Sequence, residues 1–211
     1  MHNYKRFQKT KKNSLKILGE DFSIGDGIFN LSNDEMLKLN LNIVERDLIK
    51  PFYTSNELKN YCCIRGNKDW VIYTTSKFKN PTAIEKYPSI KNHLDKYTSV
   101  ITTDNKPYGL HRSRDEKFFN NEKILSLRKC VKPTFTFTDF PTYVSQSYYV
   151  IQTDRVNLKF LTCLLNSKLI EFWLKYNGKM QGSNFQVDKE PLLDIPIKIP
   201  KDNGVYEEFY D

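Results

Sequence analysis

The sequence predicts an α+β fold, a mixed β-sheet with flanking short helices, and three observations lead there. Runs of aromatic and β-branched residues mark strands: DWVIYTTS over Asp69–Ser76, TFTFTDF from Thr134, and SYYVIQTD over Ser147–Asp154. The densest apolar stretch, Asn157–Ile197, opens instead with two short helical blocks, Leu158–Leu165 and Leu169–Tyr176, parted by Asn166 and Ser167. A chain of 211 residues with 39% hydrophobic and 14% aromatic content can bury one full core, or one core with a smaller lobe.

From the N-terminus, residues 1–13 read as a flexible, basic end with little to bury. Leu15, Ile17 and Leu18 then alternate as a strand would, and Gly19, Gly25 and Gly27 place turns around Phe22 and Ile24. The pair Gly25 and Gly27 lacks the third glycine and the downstream acidic residue of a dinucleotide fingerprint, so it reads as a turn rather than a phosphate cradle. Pro51 ends any helix begun near Asn42, and a second helical turn starts at Ser55, which makes Asn40–Tyr61 a linking stretch along the surface.

Asp69–Ser76 has too few polar breaks for an exposed edge and reads as a core strand. Ala83–Tyr97 reads as a helix broken at Pro88, with Ile90, Leu94 and Tyr97 on one stripe and His93 on its wet flank. Ile124, Leu125 and Leu127 make Lys123–Lys129 a strand candidate. Phe135 and Phe137 fall on one side of the next run and threonines on the other, so it and Ser147–Asp154 are expected as neighbouring strands of one sheet.

The helix pair follows, with Asn166 and Ser167 as caps at the break and Gly178 as a left-handed stop. Cys163 is expected on the apolar side of its helix. Beyond Gly178, Lys179–Asn184 forms a polar loop, followed by alternation at Phe185, Gln186 and Val187. A packed helical pair holding out such a loop suits presentation to a ligand.

Lys and Arg number 33 against 25 Asp and Glu, and the formal charge of +8 favours a polyanionic partner, nucleic acid or an anionic membrane. Neither a spanning apolar run nor a signal-peptide centre is present, so a cytoplasmic protein without membrane attachment is expected. Cys62, Cys63, Cys130 and Cys163 lack metal-ligand spacing and read as reduced thiols, and no metal site is expected. A nucleophile elbow, a zinc-peptidase helix, a P-loop and a zinc deaminase signature are all missing. The adjacent-proline loop with which amino-methyltransferases grip an extruded base is missing too, since no two prolines adjoin. No catalytic residue is assigned.

Several blocks nevertheless resemble, in order, the C-terminal target recognition domain of TaqI-like adenine-specific DNA methyltransferases and type IIG restriction-modification enzymes. They are IGDGIFNLSND, LIKPFYTSNELKNY, WVIYTT, IEKYPSIKNHLDKY, GLHRSRDEKFFNNEKILSLRK, and LLNSKLIEFWLKYNGKMQGSNFQV with LLDIPI. The family's entry segment commonly continues with Thr-Gly, whereas Ile28 here is followed by Phe29, Asn30 and Leu31. The resemblance implies a target recognition domain over 14–199, and in 200–211 the start of a C-terminal helix or tail that continues in longer members.

By that resemblance the domain is non-catalytic. It binds double-stranded DNA and presents it to methyltransferase and nuclease domains of the same enzyme, outside this chain. Cofactors are expected on the full-length enzyme, S-adenosylmethionine and Mg2+, with none in this chain. Base reading falls to Arg112, Arg114, Gln181, Ser183, Asn184 and Gln186, because Arg suits guanine edges and Asn or Gln suits adenine. Phosphate contacts fall to Lys106, Arg128, Lys129, Lys132 and Lys179. Arg112 and Arg114 share a face if their segment is extended, and pairing with Asp115 and Glu116 is an equal alternative use of their charge. Two rival readings are half of a type I-like specificity subunit acting mainly in assembly, which calls for a long heptad helix, and a metal-dependent nuclease domain with dispersed carboxylates.

Overall fold

The computed structural model describes residues 9–198. Its elements run in order α1 (Lys12–Leu18), β1 (Asn30–Ser32), α2 (Asn33–Lys38), α3 (Ile43–Arg46), β2 (Ile49–Phe52), β3 (Tyr61–Cys62), β4 (Asp69–Ile72) and α4 (Pro88–Asp95). They continue as α5 (Lys117–Asn120), β5 (Lys123–Leu127), β6 (Lys129–Cys130), β7 (Phe135–Thr138), β8 (Tyr148–Ile151), α6 (Leu158–Leu165), α7 (Lys168–Asn177), β9 (Lys179–Gln181), β10 (Asn184–Gln186) and α8 (Lys189–Leu193). The expected α+β class with a mixed sheet and short helices holds. These elements gather into two compact units: one takes Gly66–Glu116 with the described residues up to Tyr53, the other takes Thr54–Arg65 with the described residues from Lys117.

The first unit is a three-stranded antiparallel sheet, order β1-β4-β2, in which Trp70 of the central strand faces Leu31 on one side and Pro51 on the other. Pro51 lacks an N–H to donate, and β2 is an edge strand, where that loss is tolerated. Val71 and Ile72 are buried, as a core strand requires, and Ile90 and Leu94 of α4 are buried too. Glu45 sits at the junction. Its carboxylate closes a capping box with Asn42 and accepts from the Ser89 and Ile90 amides at 2.6 and 3.3 Å, so one fully buried side chain serves two helix starts. Burial raises its pKa, and the amides of Asn42, Ser89 and Ile90 outweigh that and hold it below the usual carboxylate range.

Several sequence expectations fail in this unit, each for a local reason. Leu15, Ile17 and Leu18 lie in helix α1 rather than in a strand, and none of that helix's residues is buried, so no partner strand imposes extension. Of the expected N-terminal end, residues 1–8 lie outside the described residues, while Lys9 bridges to Gly27 and Lys12 opens α1. The stretch after Asn40 is more than a surface linker: it holds β2, with Ile49 and Phe52 buried. In the second unit the expected helical turn at Ser55 is present as a single turn, the Leu58 amide donating to the Thr54 carbonyl at 3.1 Å and the Glu57 carboxylate accepting from the Thr54 amide and hydroxyl. His93 is turned inward, its Nε2 2.9 Å from the Ile28 carbonyl, and burial lowers its pKa.

The second unit has two sheets. The larger has order β3-β7-β5-β8, with β3 parallel to β7 and the other pairs antiparallel. The runs at Phe135 and Tyr148 therefore share a sheet but are not direct neighbours, because β5 lies between them. Both faces of β7 are covered: Phe135, Thr136 and Thr138 are all buried, and the Thr136 hydroxyl donates to the Lys59 carbonyl at 2.6 Å. At the start of β5, Lys123 is fully buried and its ammonium donates to the Asn121 and Phe140 carbonyls, each at 2.9 Å. Burial depresses its pKa to about 8.

The helix pair forms as expected. Asn157 caps α6, and the Ser167 hydroxyl accepts from the Ile170 amide to start α7. At the break, the Asn166 side chain accepts from the Phe135 amide at 3.1 Å and donates to the Phe135 carbonyl at 2.7 Å, which fastens the bend to β7. Leu161, Leu165, Ile170 and Leu174 join Phe135, Phe185 and Val187 in one core. Cys163 does not: it is exposed, and Thr162 takes the buried position by donating to the Leu158 carbonyl. Gly178 is extended at φ −92° rather than left-handed, and glycine is needed there because a Cβ would meet the Leu174 carbonyl oxygen at 2.4 Å.

Candidate nucleic-acid interface

The polar stretch after Gly178 is a hairpin rather than a loop. β9 and β10 pair antiparallel around Gly182 and Ser183, and Gly182 at φ +62° supplies the backbone that so short a connection needs. β6 pairs with the other edge of β10, giving the order β6-β10-β9.

Strand alternation then sorts the side chains. Phe185 is directly opposite Met180 and Cys130, while Gln186 is opposite Lys179 and Lys129. Paired residues share a face, and positions two apart on one strand return to it. One face therefore carries Cys130, Met180 and Phe185, with Phe185 buried in the core. The other carries Lys129, Lys179, Gln181, Asn184 and Gln186 together. Burial of Phe185 fixes which way the polar set points, because a slip of one residue would exchange the faces.

These polar groups are joined. The Lys129 ammonium donates to Gln181 Oε1 at 2.6 Å, and Gln181 Nε2 donates to Gln186 Oε1 at 2.8 Å. Gln186 Nε2 in turn donates to the two Asp188 oxygens at 3.0 and 3.1 Å, and Lys179 lies 3.5 Å from Asp188 Oδ2. Asp188 completes this chain of bonds and has little signature in the sequence. Its only signal there is an acidic residue two positions beyond Gln186 at a helix start, and spacing alone does not mark that as part of the face.

The remaining site candidates fall elsewhere. Ser183 is exposed at the hairpin turn. Arg128, beside β6, is exposed with its guanidinium carbon 5.0 Å from the centre of the Tyr149 ring, and its carbonyl accepts from the Val187 amide. Lys132 is exposed in the bend after β6, where its charge adds to the effect of the Lys168 hydrogen bond in holding Glu171 low.

Lys106, Arg112 and Arg114 belong to the first unit. Lys106 is exposed in a turn. The expectation that Arg112 and Arg114 share a face of an extended segment is overturned. Arg112 is left-handed at φ +49°, and the Arg114 backbone is held on both sides by the Tyr73 hydroxyl, which accepts from its N–H at 2.8 Å and donates to its carbonyl at 2.7 Å. Glu116, one of their two possible acidic partners, pairs with Lys50 at 3.0 Å.

Among the described residues, no group of three His, Cys, Asp or Glu side chains is placed to hold a metal ion, and no helix is long and apolar enough to cross a membrane. The body is thus α+β, with one small sheet that carries lysines and side-chain amides on the face opposite Phe185. More particularly, the chain belongs to the family of TaqI-like C-terminal specificity domains, whose sequence model matches residues 50–197.

Over 59 residues the chain is 29% identical to the type II methyltransferase M.HincII of Haemophilus influenzae, a match covering 28% of this chain and 12% of that protein. M.HindII of the same species matches at 29% over 59 residues, 28% of this chain and 11% of its own length. The chain thus spans only a small part of these curated relatives. Among solved structures, the type IIL restriction-modification enzyme MmeI, in complex with DNA, matches with a TM-score of 0.53 and 14% identity over 77% of this chain and 22% of that one, a likeness of fold.

Proposed function

We propose that this chain is the DNA-reading part of a restriction-modification enzyme. It binds duplex DNA by sequence and presents it to an adenine methyltransferase core, with or without a nuclease, outside these residues. The observation that carries the reading is the outward face of β6-β10-β9, where Lys129, Lys179, Gln181, Asn184 and Gln186 stand together on a sheet anchored by Phe185. A two-stranded ribbon fits the major groove, where every base pair presents a distinct set of donors and acceptors, and amides match adenine there. Lysines at the margins of the same face suit phosphates, which set register and affinity without reading sequence. On this reading S-adenosylmethionine and Mg2+ serve the catalytic core, and the chain itself performs no chemistry.

Titration of short duplexes over a series of salt concentrations tests this. Binding should fall linearly in log–log terms, with a slope of about −0.9 per phosphate neutralised, and one sequence should outcompete the rest. Absence of salt-sensitive association with any duplex, for the chain alone and with its catalytic core, would refute the proposal.

A further inference from the structure

The orientation of a side-chain amide is fixed when its neighbours can only donate or only accept. Both kinds of neighbour bound the glutamine pair on the hairpin. A Lys129 ammonium only donates, so it must face the oxygen of Gln181, and it does at 2.6 Å. At the opposite end an ionised Asp188 only accepts, so it must face the nitrogen of Gln186, at 3.0 and 3.1 Å. The middle link, Gln181 Nε2 to Gln186 Oε1 at 2.8 Å, is the one arrangement compatible with both ends.

A second observation sets Asp188 apart. It occupies the N-cap position of α8, where an aspartate ordinarily binds the free amides of the first turn, yet its side chain makes no capping bond. The carboxylate is given over to Gln186 and Lys179 instead.

What the pair still offers follows from counting bonds. Gln186 gives one N–H, shared between the two Asp188 oxygens, and one lone pair to Gln181, and it is half-buried, whereas Gln181 is exposed. Gln181 has one lone pair taken by Lys129 and one N–H given to Gln186, which leaves it an acceptor beside a donor. The major-groove edge of adenine presents the complement, an amino donor beside the N7 acceptor, whereas guanine presents two acceptors.

We infer that Gln181 reads an adenine, and that Lys129 and Asp188 are positioning residues that lock the amide pair, from its two ends, in the orientation this requires. The inference rests on the specificity-domain reading above and adds to it the base and the residues that set the selectivity.

Selection from a duplex library with a randomised window, using the full chain alone and with its catalytic core, tests it. Wild type should enrich a motif containing adenine at a position that Gln181→Ala leaves unspecified. Asp188→Ala should lower the preference for adenine over guanine at that same position about tenfold, while total retained DNA stays level or rises because a negative charge has gone. Asp188→Glu keeps an acceptor-only carboxylate and should restore the preference.

Asp188→Ala enriching the wild-type motif unchanged would overturn the inference and leave the broader reading standing. So would uniform loss of binding to all sequences with a lowered melting temperature, since that marks a purely structural role. A wild type that enriches no motif in either form overturns the specificity-domain reading itself, and with it this inference.

Discussion

The β9–β10 hairpin and the turn around Arg112 and Arg114 both hold side chains suited to base edges, but they are positioned by different means. In the hairpin, register with β6 aligns Lys129, Gln186 and Lys179 across three strands, and a buried Phe185 sets the outward face. Around Arg114 no ladder exists, and the Tyr73 hydroxyl holds the backbone directly. Burial pushes that hydroxyl's pKa up to about 12, so it stays a protonated donor throughout the neutral range. The difference teaches that a ladder sets its side chains by register, whereas the turn is set through a clamp on its backbone. Substitutions in the hairpin should therefore spread along the Lys129, Gln181, Gln186 and Asp188 chain.

The harshest way to break the contrast is to remove the anchor. Phe185→Ala should cost about 3–5 kcal/mol in denaturant unfolding and abolish sequence preference at every hairpin-dependent position together. Arg114→Ala should cost about 1–3 kcal/mol at a single base pair and leave the others untouched, as read from a panel of singly substituted duplexes. Loss at several adjacent pairs would show that the turn, too, acts as a set.

Titration sharpens the comparison between units. Glu45 in the first unit is held low, so the stability it gives is present above the ordinary glutamate range and is lost as pH falls through its folded value. Lys123 in the second unit behaves in the opposite sense. Its folded value is about 8, so the unfolded chain holds the proton longer and stability rises as pH climbs from 8 towards the ordinary lysine range, by at most about 1.4 kcal/mol per pH unit. Burial raises Cys63 to about 12, which opposes that rise above the ordinary thiol range of about 8.5 to 9. Lys123→Met should flatten the rise near pH 8 in chemical unfolding, and persistence of the rise would assign it to another group.

Smallest of all, Lys132→Ala, at an exposed position outside the hairpin, should weaken every duplex alike by well under a factor of ten and reduce the salt slope by about one.

Much of this was legible in the sequence where regular structure governs direction. Strand alternation around Phe185, the caps at Asn157 and Ser167, and the core run at Val71 and Ile72 all translate into geometry because period and propensity agree there. The misses share a cause. Leu15–Leu18 carries a weak two-residue alternation that any partnerless segment can abandon, and Cys163 lost the inward position to Thr162, whose hydroxyl is satisfied inside its own helix. Arg112 and Arg114 fall on a strand spacing that a left-handed residue cancels. Asp188 could not be found from spacing, since its place on the polar face depends on which way the Gln186 amide turns. The expected helix start or tail in 200–211 lies outside the described residues.

The passage of Thr54–Arg65 into the second unit, flanked on both sides by segments of the first, bears on how such domains are recombined. Tyr61 and Cys62 wait for Thr136 and Phe137, made much later on the ribosome, before their strand has a mate. A chimera that swaps only the stretch after Lys117 would leave a foreign edge strand against the new sheet. Exchanging the second unit as a folded body therefore requires two separate cassettes to travel together.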